Sequence, residues 1–435
     1  MNHRILEHSF LGELPKKGAD CLVIGAGIAG LIMGYHLKKV GIPFQIVERS
    51  QRAGGLLDSH VNSFGLAEQA ANGFLWCPEI AEVCEDLGLE IVGPEPSAKA
   101  RYLVRNRKLR KFPLGVVETL AFVGRLLLPH RQNIDTIEDF GHLYFGKTFT
   151  NQVLEPAFAG IYGASIQKLS FSGALSPLAR IMNLSNHLPL ALLKNRMQKK
   201  KESTPTTKRT RGTHSFKNGI GSLTSALADF LKEHIEYGVD GLVHKNSDQH
   251  LLICTPANVA RSFFDGALND LLNQVEYTPI ITTTLVLNKA DLAQFKEGFG
   301  CLIPRSEGLQ ILGVLFNSCI FSNRVQSEEW LSVTCIMRDD DPNLRYLKML
   351  DVDIKNLIVK ELDSLFGLKK QPLDYRVYRW QRGIPLYSPE MYNQLFQIDA
   401  LLKEQYPNRS LFGNYTGEIA IRGMFQSAAK LHFNS

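Results

Sequence analysis

The sequence predicts an α/β protein, because residues 20–50 have the pattern of a parallel β-α-β unit. The run CLVI, Cys21 to Ile24, is short and wholly apolar, which is typical of a buried parallel strand. The residues after it have the apolar spacing of a helix that ends at Gly41. A second strand, FQIVER from Phe44 to Arg49, follows directly. Two such strands joined by a helix indicate a Rossmann-like domain.

The composition is that of a folded protein. The chain has 435 residues, of which 44% are hydrophobic and 21% are charged, and its length allows roughly two to four domains. The seven cysteines are scattered without a C-x-x-C pair, and the twelve histidines lack metal-ligand spacing. We therefore expect reduced thiols, a cytoplasmic location and no bound metal.

Two segments bear on membrane contact. The longest apolar stretch, Phe112 to Pro129, is interrupted by Glu118 and Arg125, so we predict no transmembrane helix. The net charge of +6 is concentrated between Lys194 and Gly212, a polar run that we interpret as a surface loop. The sequence leaves open whether this run is a solvated linker or is attracted to anionic lipid on the inner face of the cell membrane. It does not favour nucleic-acid binding, because aromatic residues are not interleaved with the bases.

A glycine-rich turn joins the first strand to its helix. Gly25, Gly27 and Gly30 have the G-x-G-x-x-G spacing that permits a tight turn, close approach of a pyrophosphate and close helix–strand packing. Glu48 ends the second strand, where an acid accepts the hydroxyls of a ribose and repels a 2′-phosphate. A glycine turn can also serve structure alone, but here it is in register with both strands and the acid.

A second glycine pair, Gly54-Gly55, follows Glu48 closely and favours an extended dinucleotide such as FAD over a smaller one. The residues expected to line this cofactor from the motif region are Gly25, Ala26, Gly27, Ile28, Ala29, Gly30, Glu48, Arg49, Gly54, Gly55 and Leu56.

Seven further segments carry a recognisable pattern. They are EQAANGFL (68–75), ARYLVRNRKLRKFP (100–113), EPAFAGIYGASIQKLS (155–170), FKNGIGSLTSALADFL (216–231), GFGCLIPRSEGLQILGVLFNSCIFSNR (298–324), YRWQRGIPLYS (378–388) and LFGNYTGEIAIRGMFQSA (411–428). In this order they resemble segments of the oxygen-dependent protoporphyrinogen oxidases, within the flavin amine oxidase superfamily.

The resemblance implies a discontinuous FAD-binding domain, a helical insert and a mixed-sheet substrate domain. The expected boundaries are 19–95, 212–275 and 408–435 for the FAD-binding domain, 96–211 for the insert with its basic loop at 194–212, and 276–407 for the substrate domain. Strands near Val243 and over HLLICTPA, up to Ala257, are expected to return to the first sheet, and TTTLVLN and LSVTCIM are expected strands of the other. The resemblance adds these expected cofactor contacts: Val243, Trp380, Gly413, Asn414, Gly417 and Ile419.

The resemblance also implies a porphyrinogen substrate and the residues that meet it. Arg101 is expected to bind a propionate, and Asn72 to hydrogen-bond near the reacting carbon, since an amide is a poor general base. The remaining expected substrate contacts are Gly160, Tyr162 and Gly163. Four pairs depart from the family pattern near the expected pocket: Ala70-Ala71, Ala164-Ser165, Arg338-Asp339 and Glu390-Met391.

Several functions remain open at this level. The first is a six-electron oxidation of protoporphyrinogen IX by O2 that yields H2O2, in haem biosynthesis. The second is oxidation of coproporphyrinogen III, whose additional propionates could use the bases that follow Arg101. A diverged amine oxidase or desaturase and a non-catalytic FAD-containing binding protein are further alternatives. The sequence does not decide whether the chain forms a homodimer or touches a membrane.

Overall fold

The computed structural model describes residues 3–6, 10–16, 18–111, 124–125, 134–202 and 212–430. The apolar stretch 112–129, apart from two residues, and the second half of the basic run therefore lie outside the described residues. Two compact units alternate along the chain. The parallel-sheet unit takes its described residues from Leu6–Pro94, Arg209–Glu276 and Asn393–Ser435, and the mixed-sheet unit from Met1–Ile5, Glu95–Lys208 and Tyr277–Tyr392.

The strands, in chain order, are β1 Phe10–Gly12, β2 Cys21–Ile24, β3 Phe44–Glu48, β4 Ser59–Val61, β5 Leu66–Glu68, β6 Phe74–Leu75, β7 Ile91–Val92, β8 Arg101–Arg105, β9 Lys108–Lys111, β10 Thr213–Phe216, β11 Ile235–Tyr237, β12 His250–Ile253, β13 Tyr277–Asn288, β14 Gly300–Leu302, β15 Ile311–Leu315, β16 Trp330–Arg338, β17 Asp374–Pro385 and β18 Arg409–Phe412. The longer helices are α1 Ile28–Val40, α2 Pro78–Asp86, α3 Ile137–Tyr144, α4 Glu155–Tyr162, α5 Leu188–Glu202, α6 Gly221–Phe230, α7 Gly266–Asn273, α8 Asp351–Phe366, α9 Pro389–Gln405 and α10 Ile421–Ala429. Shorter helical turns include Lys147–Phe149, Phe171–Ala174, Ser176–Met182, Ala257–Ala260, Asn317–Ile320 and Arg345–Lys348.

The parallel-sheet unit is built on a six-stranded sheet in the order β1-β18-β12-β2-β3-β11. Its neighbouring strands run parallel except for β1, which is antiparallel to β18. Helix α1 packs against α6 and α10, and its side chains Leu31, Ile32 and Met33 are fully buried. Burial of each such side chain contributes about 1.5–3 kcal/mol. The predicted β-α-β unit is therefore the centre of this fold.

The mixed-sheet unit contains a seven-stranded sheet in the order β17-β13-β16-β15-β14-β8-β9. Its strands are antiparallel to their neighbours except where β14 pairs with β8. The core beside this sheet includes Ile354, Ile358 and Leu362 of α8, all fully buried. A second core lies in the helical part of the unit, around Ile137 and Phe171. The predicted strands TTTLVLN and LSVTCIM are the paired strands β13 and β16.

The structure corrects three predicted elements. Residues 101–111 form the hairpin β8–β9 rather than helix, since Tyr102 and Val104 are buried while the residues between and beside them are more exposed, a period of two. Helix α5 continues through the first half of the basic run, so the predicted loop is wrong for residues 194–202; lysine, methionine and glutamine propagate a helix, and the proline appears only at position 205. The segment around Val243 is a 3₁₀ turn, as described below.

None of the helices in the described ranges is long and apolar enough to cross a membrane.

Candidate functional site: a glycine turn and a substrate segment

The glycine turn of the parallel-sheet unit combines close packing with open space. A Cβ atom on Gly30 would lie 1.8 Å from the carbonyl oxygen of Gly25, so only glycine fits at this contact between helix and turn. A Cβ atom on Gly27 would meet no described atom within 4 Å. Gly27 is also the N-cap of α1, where backbone N–H groups lack helical partners and attract anions. The open side of this turn therefore suits a phosphate group.

Glu48 links the end of β3 to this turn. Its Oε2 accepts a hydrogen bond from the Ala26 N–H (2.8 Å), and its Oε1 accepts bonds from the N–H (2.9 Å) and hydroxyl (2.8 Å) of Ser50. The half-buried carboxylate is thus held beside the glycine turn by the backbone itself. A fixed carboxylate at this place can accept hydrogen bonds from sugar hydroxyls.

The second glycine pair lies directly against the first turn. Gly54 donates its N–H to the carbonyl of Ala26 (2.8 Å) and forms a parallel bridge with Gly27. A Cβ on Gly55 would be 3.2 Å from the Cα of Gly27. The structure therefore brings the two predicted glycine motifs together. Arg49 is exposed and Leu56 is half-buried in the same region.

Thr255 lies beside this turn and is a candidate site residue that was not predicted from the sequence. It follows β12, and its methyl group would be 3.2 Å from a Cβ on Gly25. Its hydroxyl oxygen is buried and has no hydrogen-bond partner among the described residues. A buried hydroxyl without a partner is costly, so a bound polar group beside the turn would satisfy it. The available signal was its position two residues after the end of β12, which lies beside β2 in the sheet.

The C-terminal segment supplies a second turn before a helix. Gly413 donates its N–H to the hydroxyl of Thr416 (3.1 Å), and the Thr416 hydroxyl donates to the carbonyl of Gly413 (2.9 Å). Helix α10 then starts after Ala420, which cannot cap it with a side chain. The carboxylate of Glu418 lies against Gly423 in the first turn of this helix, where a negative charge complements the helix dipole. The expected contacts Asn414, Gly417 and Ile419 are half-buried in this segment.

Asn72, the predicted substrate contact in the parallel-sheet unit, is half-buried in the loop between β5 and β6. The buried Glu68 anchors this loop, because its carboxylate accepts hydrogen bonds from the Ser59 hydroxyl (2.5 Å) and the Ile220 N–H (3.0 Å).

The predicted strand around Val243 is wrong. Gly241–His244 is a 3₁₀ turn capped by Asp240, whose carboxylate accepts the Leu242 N–H (3.0 Å), and Val243 is 74% exposed. The Asp-Gly pair favours a capped turn over a strand. The strand that returns to the sheet is β12, as HLLI predicted.

Trp380 and Arg101 lie in the mixed-sheet unit. Trp380 is in β17, opposite Ile280 of β13, and is half-buried. Arg101 is the first residue of β8 and is exposed, with its guanidinium carbon 4.4 Å from the ring centre of Phe299. The ring restricts the orientation of the guanidinium and leaves its N–H groups available to an anionic ligand.

The predicted segment Gly160–Gly163 ends helix α4 in the same unit. The hydroxyl of Tyr162 donates to the carbonyl of Ala174 (3.0 Å), which fixes the phenol ring against the next helical turn. Gly163 terminates the helix with φ of 63°. The structure thus presents Gly160, Tyr162 and Gly163 as one short, well-anchored segment.

Among the described residues, no group of three or more histidine, cysteine, aspartate or glutamate side chains is arranged to hold a metal ion.

The fold and the glycine turn are those of a Rossmann-like protein whose turn suits the phosphates of a nucleotide-based cofactor. Residues 28–430 match the family model described as flavin containing amine oxidoreductase. The chain therefore belongs to this family and is a flavin-dependent oxidoreductase.

Two named relatives span almost the whole chain. The chain is 24% identical to protoporphyrinogen oxidase 2, chloroplastic/mitochondrial, of Arabidopsis thaliana, over 95% of this chain and 93% of that protein. It is 21% identical to coproporphyrinogen III oxidase of Bacillus subtilis (strain 168), over 90% of this chain and 92% of that protein.

The fold is also similar to solved structures. A protein described as a putative protoporphyrinogen oxidase from Exiguobacterium sp. 255-15 superposes with a TM-score of 0.75 at 16% identity, over 95% of this chain and 98% of that one. A reduced UDP-galactopyranose mutase gives a TM-score of 0.68 at 13% identity, over 94% of each chain. At such identities the likeness supports the fold alone.

Proposed function

We propose that this protein is an FAD-dependent oxidase that converts a porphyrinogen to the corresponding porphyrin. The observation that carries the proposal is the match, over at least nine-tenths of both chains, to relatives named protoporphyrinogen oxidase and coproporphyrinogen III oxidase. The predicted site residues are consistent with it, because each unit provides the chemistry that such a reaction needs.

FAD is the flavin that the glycine motifs favour. The turn at Gly27 offers open backbone, and the second glycine turn lies directly beside it through the Gly27–Gly54 bridge, an arrangement that favours a pyrophosphate-bridged dinucleotide. The first turn of α1 would hold phosphate oxygens, the Thr255 hydroxyl would donate to a polar group there, and Glu48 would accept ribose hydroxyls. When bound, the flavin supplies two-electron chemistry, and three such oxidations with O2 as acceptor convert a porphyrinogen to a porphyrin with release of three H2O2.

The protein would contribute binding and orientation to the substrate. Arg101, exposed and stacked on Phe299, would bind a propionate through charge-assisted hydrogen bonds. The segment Gly160–Gly163 would line one face of the macrocycle, and the Asn72 amide would hydrogen-bond near the reacting carbon.

Coproporphyrinogen III is the second candidate substrate. It carries four propionates, and the hairpin β8–β9 presents a row of basic residues beyond Arg101, namely Arg105, Arg107, Lys108, Arg110 and Lys111. The relative from Bacillus subtilis bears the corresponding name.

Steady-state oxidation of both porphyrinogens in air tests the function. We expect porphyrin fluorescence and peroxide, with the larger kcat/KM identifying the preferred substrate. Arg101→Ala should raise KM about tenfold or more, because a charge-assisted hydrogen bond to the substrate is lost. The bound-flavin spectrum should stay unchanged. Arg376→Ala, an exposed arginine on strand β17 of the same sheet, is the matched control and should leave KM unchanged. Absence of porphyrin from both substrates would refute the proposal.

A further inference from the structure

The end of helix α4 sits directly on the sheet of the mixed-sheet unit. A Cβ on Gly163 would be 2.4 Å from the Cδ1 of Ile280 and 3.0 Å from the Cγ2 of Thr278, both on β13. The positive φ of Gly163 also requires glycine. The Gly163 carbonyl accepts a hydrogen bond from a side chain of the neighbouring strand β16.

That side chain is Arg338, the last residue of β16 and the partner of Ile280 in the ladder. It is buried, with 8% of its surface exposed. Its Nη1 donates to the carbonyl of Gly163 (2.7 Å), its Nη2 donates to Oδ2 of Asp340 (2.7 Å), and its Nε lies 2.5 Å from Oδ1 of Asp340. Arg338 therefore joins the end of α4 to the turn after β16.

The same network returns to the loop after Gly163 through a second arginine. Arg305 lies 3.5 Å from Asp340 and 3.4 Å from Glu155, the first residue of α4. The other carboxylate oxygen of Glu155 accepts the N–H of Ile166 (2.9 Å). The two guanidinium groups and two carboxylates thus balance in charge. They bind the backbone at both ends of residues 163–166, at the Gly163 carbonyl and at the Ile166 N–H.

Asp339 keeps the turn after β16 in the shape that the network needs. It is buried, and its carboxylate accepts the N–H groups of Asp341 (3.2 Å) and Leu347 (2.8 Å). The pair Arg338-Asp339, which departs from the resembled family's pattern, forms both sets of bonds through its side chains. The departure is therefore a built arrangement rather than a surface change.

We propose that Arg338 is a positioning residue, which holds the Gly163 carbonyl and, with Asp340, Arg305 and Glu155, fixes the substrate segment Gly160–Gly163 in one conformation. This inference rests on the proposed function insofar as that segment contacts the porphyrinogen. Direct binding of a substrate carboxylate by Arg338 is disfavoured, because the guanidinium is buried and its Nη1 and Nη2 already donate to Gly163 and Asp340.

The test compares the flavin-loaded wild type with Arg338→Met, Arg338→Lys, Asp340→Asn and the exposed control Arg376→Met. Hydrogen exchange of the backbone amides 163–168, measured without substrate, reports the loop itself. In Arg338→Met we expect this exchange to be about tenfold faster or more, without change in β13 and β16. KM for the porphyrinogen should rise about tenfold with kcat within about threefold, since misplaced binding groups weaken substrate binding.

The other variants make the result specific. Arg338→Lys keeps the charge but not the planar set of donors, so its exchange rate and KM should lie between those of Arg338→Met and the wild type. Asp340→Asn should give a smaller change in the same direction and stays informative if Arg338→Met does not fold, because Asp340 is 63% exposed.

Wild-type exchange of residues 163–168 in both Arg338→Met and Asp340→Asn would overturn the proposal. An unchanged KM despite faster exchange would also overturn it. A KM rise confined to the substrate with more carboxylates would instead indicate direct binding and would also overturn it. A wild type that oxidises no porphyrinogen would refute the proposed function, and the exchange measurement would still decide whether Arg338 holds the loop.

Discussion

Gly27 and Gly30 lie in one turn but are constrained for opposite reasons. Gly30 has no room for a side chain, since the Gly25 carbonyl occupies that space, whereas the space beside Gly27 is open to 4 Å among the described residues. Packing of the protein thus explains Gly30 but not Gly27, whose open side is where we propose that a phosphate binds. This difference gives a direct test of the phosphate site.

We expect Gly27→Ala to fold with nearly wild-type stability but to bind FAD about tenfold more weakly or worse. Its φ of −67° suits alanine, and exchange of glycine for alanine at an N-cap costs about 1 kcal/mol or less. Urea unfolding of the apoprotein and titration with FAD measure the two effects separately. Gly30→Ala is the contrasting variant and should lose apoprotein stability. Equal FAD affinity of Gly27→Ala and wild type would show that the pyrophosphate does not bind at this turn.

Sequence spacing predicts contacts only between residues that are close in the chain. The spacing of Gly25, Gly27 and Gly30 with Glu48 predicted a turn that the structure contains, because these residues are close in sequence. Thr255 and Arg338 were not predicted as site residues, because their partners Gly25 and Gly163 lie far from them in the chain. Only the pairing of strands brings such residues together.

At the level of elements, short apolar runs predicted two strands of the parallel sheet, and the family resemblance predicted a third. CLVI, FQIVE and HLLI formed as expected. The hairpin β8–β9 was missed because arginine and lysine dominate it, and only Tyr102 and Val104 reveal the alternation. The loop prediction for residues 194–202 was wrong because it relied on their charge, whereas lysine, methionine and glutamine have ordinary helix propensity.

Strand β12 carries a buried histidine with a measurable consequence. The Nε2 of His250 is 2.8 Å from the hydroxyl of Ser410, and burial lowers the pKa of His250 to about 4. The histidine is neutral in the folded protein, while the unfolded chain binds a proton below about pH 6.5. Its contribution to stability is therefore present above pH 6.5 and is lost as the pH falls toward 4, at up to about 1.4 kcal/mol per pH unit.

We expect His250→Gln to flatten the dependence of the unfolding free energy on pH between about 6.5 and 4. Denaturant unfolding at several pH values measures this slope for wild type and variant. His142→Gln, which changes an exposed histidine, is the control and should keep the wild-type slope. An identical slope in His250→Gln and wild type would show that His250 is not held neutral by the fold.

At the scale of the whole molecule, two units are built from alternating segments of one chain. The parallel-sheet unit holds the glycine turns, Glu48, Asn72 and the C-terminal turn, and the mixed-sheet unit holds Arg101, Gly160–Gly163 and Trp380. That cofactor binding and substrate binding are divided between these two units stays a prediction from the family resemblance. The sequence could not predict that the bases after Arg101 form an edge hairpin of the seven-stranded sheet, because a strand pairing such as β14 with β8 is not a local property.

We propose that a porphyrinogen reduces the flavin of this protein. The most direct measurement is anaerobic mixing of the flavin-loaded protein with freshly reduced protoporphyrinogen IX and, separately, coproporphyrinogen III, with absorbance followed in the oxidised-flavin band. We expect bleaching by at least one substrate, and porphyrin fluorescence with peroxide once oxygen is admitted. A flavin that stays oxidised with both substrates would rule out porphyrinogen oxidation by this protein.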